Sequence, residues 1–328
     1  MRVISLFSGA GGMDLGFSQA GYRIVWANDI WQDAVKTYRL NLGDHIVCQD
    51  MRLINTSEIP DADVLIGGFP CQGFSVANRN RFAADERNAL YLQLLRVLKE
   101  KQPKFFVAEN VKGIKSIEGG KVFEMILADF EGAGYRVEHA VLNAADYGVP
   151  QRRERVFFVG SRNDLNIDLG FPPRCTHAPK EIAPAAGLIP WVGVGDALKD
   201  IPDPDVKNSL ENHEYSRYKL RFNGYLGHRT IDPELPAPTI TARGDDRGGV
   251  VILHHPNNQR RMSARELAVV QSFPATYMFY GPKTTVYRQV ANAVPPLLAK
   301  AIAEWLKAKA EAIEESVNSL EFIGGGLR

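Results

Sequence analysis

Residues 67–75 read GGFPCQGFS, with Cys71 set behind a proline and among glycines. A structural thiol normally lies in an apolar strand or helix; this one lies in a turn-prone stretch. A thiolate is a strong nucleophile that attacks unsaturated carbon. No histidine stands close in sequence and CxxC is absent, so neither a papain-like nor a thioredoxin-like site is indicated. A buried free cysteine, the default reading for Cys48 and Cys175, fits Cys71 poorly. A second reactive group is Glu109, in ENV after the apolar run KFFVA. The bland reading is a capping or surface acid. If it faces a pocket, burial raises its pKa and lets it give a proton near neutrality.

A third constellation is the loop Phe7-Ser8-Gly9-Ala10-Gly11-Gly12 between an apolar run and a helical pattern. Glycines let the backbone approach a ligand, and a helix N-terminus adds a positive dipole. The loop alone fits NAD, FAD, S-adenosylmethionine or an empty turn, and it is not the GxGxxG of dinucleotide sites. Asp29, 20 residues beyond Gly9, can accept hydrogen bonds from ribose hydroxyls, and Asp50 can receive an adenine amino group. Each acid alone could be a helix cap. Together with the loop they favour a nucleoside-containing cofactor.

These residues need elements to hold them. Apolar runs at Val3–Phe7, Arg23–Ala27, His45–Cys48, Val64–Ile66 and Lys104–Ala108 predict strands. Helical patterns at Met13–Ala20, Gln32–Leu42 and Ala89–Lys101 separate them, and strands at Arg136–Leu142 and Val156–Gly160 follow. The alternation predicts an α/β fold with a parallel-rich sheet and helices on both faces. Ligands bind at the carboxyl ends of such strands, where the polar residues above all lie. The texture changes near Phe171: ten of the nineteen prolines fall between Pro172 and Pro238. That predicts a separate irregular module. A helix over Ser263–Phe273 is expected, with Ser263 as cap and Glu266 three residues on. A long helix is expected from Pro295 to about residue 316, before a frayed tail.

The bulk numbers suit a globular chain of 328 residues, 45% hydrophobic and 23% charged. No apolar stretch approaches the roughly 18 residues of a membrane span. Three cysteines without a spacing pattern argue against a disulfide framework and a zinc site, so no metal is expected and a reducing cytoplasm is the natural setting. A net charge of +1 decides nothing about nucleic acid, because binding depends on where charge sits. Three local basic runs stand out: Tyr215–Ile231 without an acid, Gln151–Arg155, and Arg260, Arg261 and Arg265. Each reads equally as a solvated surface or a phosphate-binding one.

FSGAGG, the acids Asp29 and Asp50, GGFPCQGFS, ENV, QRRER, RELAVVQSFP and QVANAVPP, in this order, resemble the DNA (cytosine-5) methyltransferases. The likeness runs from Met1 to about Gly160 and again from about Pro238 to Ala301. It implies a Rossmann-like methyltransferase sheet with a smaller irregular target-recognition domain. It implies catalytic residues 1–170, target recognition over 171–282, and a C-terminal segment, 283–328, returning to the catalytic domain. It further implies attack of Cys71 on C6 of a flipped-out cytosine, proton donation by Glu109, and methyl transfer from S-adenosylmethionine to C5, with S-adenosylhomocysteine as product. Arg153 and Arg155 match positions that hold the target base and its phosphate, and Asn110 one that supports the loop around Cys71. For the cofactor the likeness implies Phe7, Ser8, Gly9, Ala10, Gly11 and Gly12, with Asp29 on the ribose and Asp50 on the adenine amine. Ile30 and Met51 would sandwich the adenine, with Gly68, Pro70, Leu90, Asn292, Ala293 and Val294 as further positions. Three positions depart from the family: Asp29 stands where Glu is frequent, Ile30 where Trp is frequent, and Ala291 where Gly is usual.

For DNA, the resemblance implies contacts from Gln72, Ser75, Arg79, Arg81 and Arg87 on a loop closing over the duplex, and from Gln151, Thr239 and Arg243. The expected function is a sequence-specific, prokaryotic restriction–modification type of enzyme acting on double-stranded DNA in the cytoplasm, on the nucleoid when at work. A cognate restriction endonuclease is a candidate partner, and a monomer is expected. The rivals are a tRNA cytosine-5 methyltransferase on the same fold, a catalytically inactive DNA-binding homologue and, more distantly, a Rossmann oxidoreductase.

Overall fold

The structure is a computed structural model that describes residues 1–69, 89–217, 219–225, 227–242 and 251–324. Cys71, Pro70, Gln72, Ser75, Arg79, Arg81, Arg87 and Arg243 lie outside the described residues. Among those described, the main sheet has seven strands: β1 (Arg2–Leu6), β2 (Arg23–Asp29), β3 (Ile46–Cys48), β4 (Val64–Gly68), β5 (Phe105–Val111), β6 (Tyr135–Asn143) and β7 (Glu154–Arg162). Their spatial order is β3-β2-β1-β4-β5-β7-β6. The first five run parallel. Their centre reads as near-continuous apolar sequence, because helices cover both faces.

Register brings the reactive ends together. Leu6 pairs with Asn28 on one side and Gly67 on the other, and Gly68 pairs with Glu109. Phe7, Asp29, Gly68 and Glu109 therefore share one edge of the sheet. β7 lies between β5 and β6, antiparallel to both. Its direction was not legible in the alternation of apolar runs. Because it runs backwards, its amino end and the preceding Gln151–Arg153 arrive at the same functional edge.

One face of the sheet is covered by α1 (Gly12–Gln19), α2 (Gln32–Asn41) and the long C-terminal helix; the other by α3 (Ala89–Lys101) and α4 (Lys121–Gly132). A further core forms from residues between 194 and 293, joined by Ala10 of the loop after β1. It is organised by α5 (Ala264–Val270) and α6 (Lys283–Asn292). The expected cap of α5 is present: the Ser263 hydroxyl accepts from the Glu266 amide and the Glu266 carboxylate accepts from the Ser263 amide. The C-terminal helix, α7 (Pro296–Gly324), extends into the expected tail and packs along α1. Gly16 permits that approach, since a Cβ there would stand 2.6 Å from the Ala299 Cβ.

Two expectations are corrected. Cys48 is exposed, because the short edge strand β3 ends there. Arg260, Arg261 and Arg265 form neither a solvated nor a phosphate-binding face, for all three are buried. Arg260 grips the Glu266 carboxylate in two bonds of 2.8 and 2.7 Å. Arg261 donates to the carbonyls of Gly227 and Ile252, and Arg265 to those of Tyr277 and Glu211. These bonds satisfy loop carbonyls that regular structure does not pair.

Candidate active site

Glu109 sits near the end of β5, its side chain 12% exposed. Arg155, opposite Val111 on β7, reaches it diagonally, Nε to Oε1 at 3.0 Å. The other oxygen, Oε2, lies beside Gly68: a Cβ there would stand 3.3 Å away. Burial raises the carboxyl's pKa, while the charges of Arg155 and then Arg153 hold it down. The direction is upward, as expected of a group that must give a proton near neutrality.

Asn110 next to it is 1% exposed. Its amide nitrogen donates to the Phe69 carbonyl at 2.9 Å, and its oxygen accepts from the Val111 amide at 2.8 Å. It thus pins the backbone two residues before Cys71 to the strand that carries Glu109. Thr239 is drawn to the same edge by a 2.7 Å bond to the Arg152 carbonyl. It joins Val111, Lys112, Asn143, Arg152 and Arg155 in lining a cavity of about 470 Å³. Lys112 and Glu154, which form an ion pair of 2.9 Å at this rim, were not singled out in the sequence, where both read as ordinary surface charge.

Two expected contacts look inward instead. Gln151 is fully buried, its Oε1 accepting from the Ile240 amide at 3.0 Å and its Nε2 donating to Gln271. Both ends of its side-chain amide are thus engaged within the protein. Arg153 is 2% exposed and donates to the carbonyls of Ile240 (3.0 Å) and Ala291 (2.9 Å). Burial, then the Arg155 charge, lower its pKa, but guanidinium basicity is high enough that it stays charged. Its two bonds tie the residue before β7 to the segment before Thr241 and to α6, while its buried Nε has no partner among the described residues.

The loop after β1 has the conformation that its glycines predict. Gly11, which begins the turn into α1, is left-handed, with φ 82°. Gly9 has φ +55°, and a Cβ there would meet nothing within 4 Å, so open space lies over the loop. Phe7 is itself left-handed at φ 56°. Asp29 braces this loop: Oδ2 accepts from the Gly9 amide and Oδ1 from the Trp31 amide, both at 2.7 Å. Burial raises the Asp29 pKa against these bonds. A carboxylate has about four acceptor sites, so capacity is left for a hydroxyl donor beyond its backbone bonds. Ile30 beside it is 64% exposed, whereas Met51 is buried at 1%. Asp50 is held by a forked pair of bonds from Arg52, which lower its pKa. Ala10 is buried and Leu90 half-buried at the start of α3. Asn292 is exposed, while Ala293 and Val294 are buried against the first turn of α1; a Cβ on Gly12 would run into the Val294 carbonyl.

A buried acid at one strand end, a glycine loop opening a helix, and an exposed apolar residue beside a buried acid together suit a nucleoside-containing cofactor next to a reactive carboxyl on a doubly covered α/β sheet. The comparisons agree. The sequence pattern of the family described as C-5 cytosine-specific DNA methylase matches residues 1–308. The chain belongs to this family of DNA cytosine-5 methyltransferases. It is 40% identical over 318 residues to the type II methyltransferase M.NgoFVII of Neisseria gonorrhoeae, across 90% of this chain and 83% of that one. It is 37% identical over 342 residues to the type II methyltransferase M.MthTI of Methanothermobacter thermautotrophicus, across 95% and 99%. Among solved structures, a candidate DNA modification methyltransferase encoded within an E. coli prophage superposes with a TM-score of 0.74 at 27% identity, across 95% of this chain and 99% of that one. The S. pombe Dnmt2 methyltransferase shares the fold, with a TM-score of 0.66 at 21% identity, across 94% and 99%.

Proposed function

We propose that this chain methylates C5 of a flipped-out cytosine within a specific sequence of double-stranded DNA, using S-adenosylmethionine and a covalent bond between Cys71 and C6. The observation that carries the reading is the buried Glu109 carboxyl, held by Arg155 through one oxygen and with the other beside Gly68, at the strand edge that leads toward Cys71. The target base leaves the stack because C5 and C6 are shielded within it. The Cys71 thiolate forms a bond to C6. Glu109 gives its proton to N3, so the electron pair displaced from the C5–C6 double bond gathers at C5. S-adenosylmethionine supplies an electrophilic methyl group to that carbon. Loss of the C5 proton to solvent then expels the thiolate from C6 and restores the double bond, and N3 returns its proton to Glu109, leaving 5-methylcytosine and S-adenosylhomocysteine.

The residues fit the cofactor. The Gly9 loop is open above, Asp29 keeps acceptor capacity, and Ile30 offers an exposed apolar face. Asp50 can receive the adenine amine only while sharing its oxygens with Arg52. Residues 1–170 and 283–328 are read as the catalytic part and 171–282 as target recognition, with Thr239 and the acid-free stretch Tyr215–Ile231 toward the duplex. The enzyme is read as a cytoplasmic monomer, either of restriction–modification type with a cognate endonuclease as candidate partner or an orphan. Among the described residues no helix is long and apolar enough to cross a membrane.

The test is transfer of a labelled methyl group to duplex DNA, with covalent capture on DNA carrying 5-fluorocytosine, whose fluorine cannot leave as a proton does. Cys71→Ala is expected to abolish both. Full transfer by that variant, or transfer to tRNA without transfer to DNA, would overturn the reading. Bisulfite sequencing of a host genome expressing the chain identifies the target sequence.

A further inference from the structure

We propose that the buried Asp14 carboxylate, acting through Ser5, fixes Ser8 as an acceptor-only hydroxyl that takes a hydrogen bond from the ammonium group of the cofactor's methionine part. The inference rests on the reading that this loop holds S-adenosylmethionine, and it concerns a residue that the catalytic steps leave unused.

Asp14 lies in the first turn of α1 and is fully buried, an expensive place for a charge. Its Oδ2 accepts from the Ser5 hydroxyl at 3.0 Å and its Oδ1 from the Tyr38 hydroxyl at 3.0 Å. An ionised carboxylate can only accept, and a serine has one proton. Ser5 has spent that proton on Asp14. The 2.8 Å bond between Ser5 and Ser8 must therefore run from Ser8 to Ser5. The other bond open to the Ser8 proton, to the Ser5 carbonyl at 3.4 Å, also points inward. Either way the oxygen of half-buried Ser8, next to Gly9, has only lone pairs left for a further partner. Such an oxygen suits a cationic N–H donor and repels a carboxylate.

The far side of the network obeys the same rule. Tyr38 gives its proton to Asp14, so its 3.0 Å contact with His45 Nε2 needs that nitrogen to be the donor. Burial pushes the Asp14 carboxyl up to about 6, with Ser5 and Tyr38 pulling it down and the Asp29 charge adding to the rise. Tyr277, the remaining titratable neighbour, gives its proton to the Ala10 carbonyl. Above pH 6 the carboxylate thus orders the relay inward. Once protonated it can donate to Ser5, and the Ser8 hydroxyl can turn outward.

The test is calorimetric binding of S-adenosylhomocysteine and of its deamino analogue, which keeps the carboxylate and lacks the ammonium, to the full chain at pH 7.5. The native protein is expected to prefer the amino form by about tenfold, the worth of one charge-assisted bond. Ser8→Ala and Asp14→Asn are each expected to narrow that preference to within about threefold. Ser5→Ala, which interrupts the relay but keeps the carboxylate, is expected to do the same and guards against a folding defect in Asp14→Asn. The double variant Asp14→Asn with Ser8→Ala is expected to discriminate no less than Ser8→Ala alone, because the two act as one unit. A tenfold preference that survives Ser8→Ala, or an Asp14→Asn variant that weakens both ligands equally and keeps the preference, would overturn the relay. Failure of the native chain to bind either ligand would overturn the cofactor reading itself.

Discussion

Glu109 has two oxygens in different surroundings, and the difference assigns their roles. Oε1 is occupied by Arg155, while Oε2 faces the space that the missing side chain of Gly68 leaves. Glu109→Gln keeps the shape and removes the transferable proton. It is expected to slow single-turnover methyl transfer by about 10²- to 10⁴-fold while leaving duplex affinity within about twofold. An unchanged rate would remove its acid role. Asp14 makes a prediction about stability. Its carboxyl rises from 3.8 to about 6 on folding, so the folded state binds more protons than the unfolded state between those values. Stability contributed at low pH is therefore lost as pH rises through that window, by about 3 kcal/mol for this group. Asp14→Asn does not titrate. The melting temperature of the variant relative to the native chain should climb between pH 4 and pH 6 and then level off; a constant difference would contradict the assignment.

At the scale of elements, the basic cluster of Arg260, Arg261 and Arg265 shows how position overrides charge. The same three residues would serve phosphate if they faced outward. Here α5 and the loops around it fold over them, and each guanidinium fork finds carbonyls or Glu266. Arg260→Ala takes the guanidinium from the buried Glu266 carboxylate and is expected to cost about 3–5 kcal/mol in unfolding free energy. Because the pair is inward, the slope of DNA affinity against salt should not change. A lost phosphate contact would instead reduce that slope by about one. The helix itself was legible: Ser263 and Glu266 three residues apart specify a capping box, and the box forms.

For the whole molecule, Arg153 and Gln151 join parts that are remote in sequence. Arg153 reaches the carbonyls at 240 and 291, and Gln151 the Ile240 amide and Gln271. They register the region around Thr239 and the end of α6 on the sheet edge that carries Glu109. Arg153→Ala is expected to speed amide exchange at 237–242 and 289–294 and to lower kcat, with cofactor affinity reduced through Ala293 and Val294. Unaltered exchange in both segments would show that the tie is dispensable.

The sequence by itself determined the strand–helix alternation, the carboxyl-edge placement of Phe7–Gly12, Asp29 and Glu109, and the family. Those features rest on local patterns: apolar runs, glycine turns and caps set within a few residues. Only the tertiary structure decided the antiparallel insertion of β7, the burial of Gln151 and Arg153, and the inward turn of Arg260, Arg261 and Arg265. It alone joined Asp14, Ser5, Ser8 and Tyr38. Nothing in the chain order marks them as partners, because a hydrogen-bond relay is fixed by the packing of α1 and α2 against β1, and the cost of an unpaired buried group selects which partners meet.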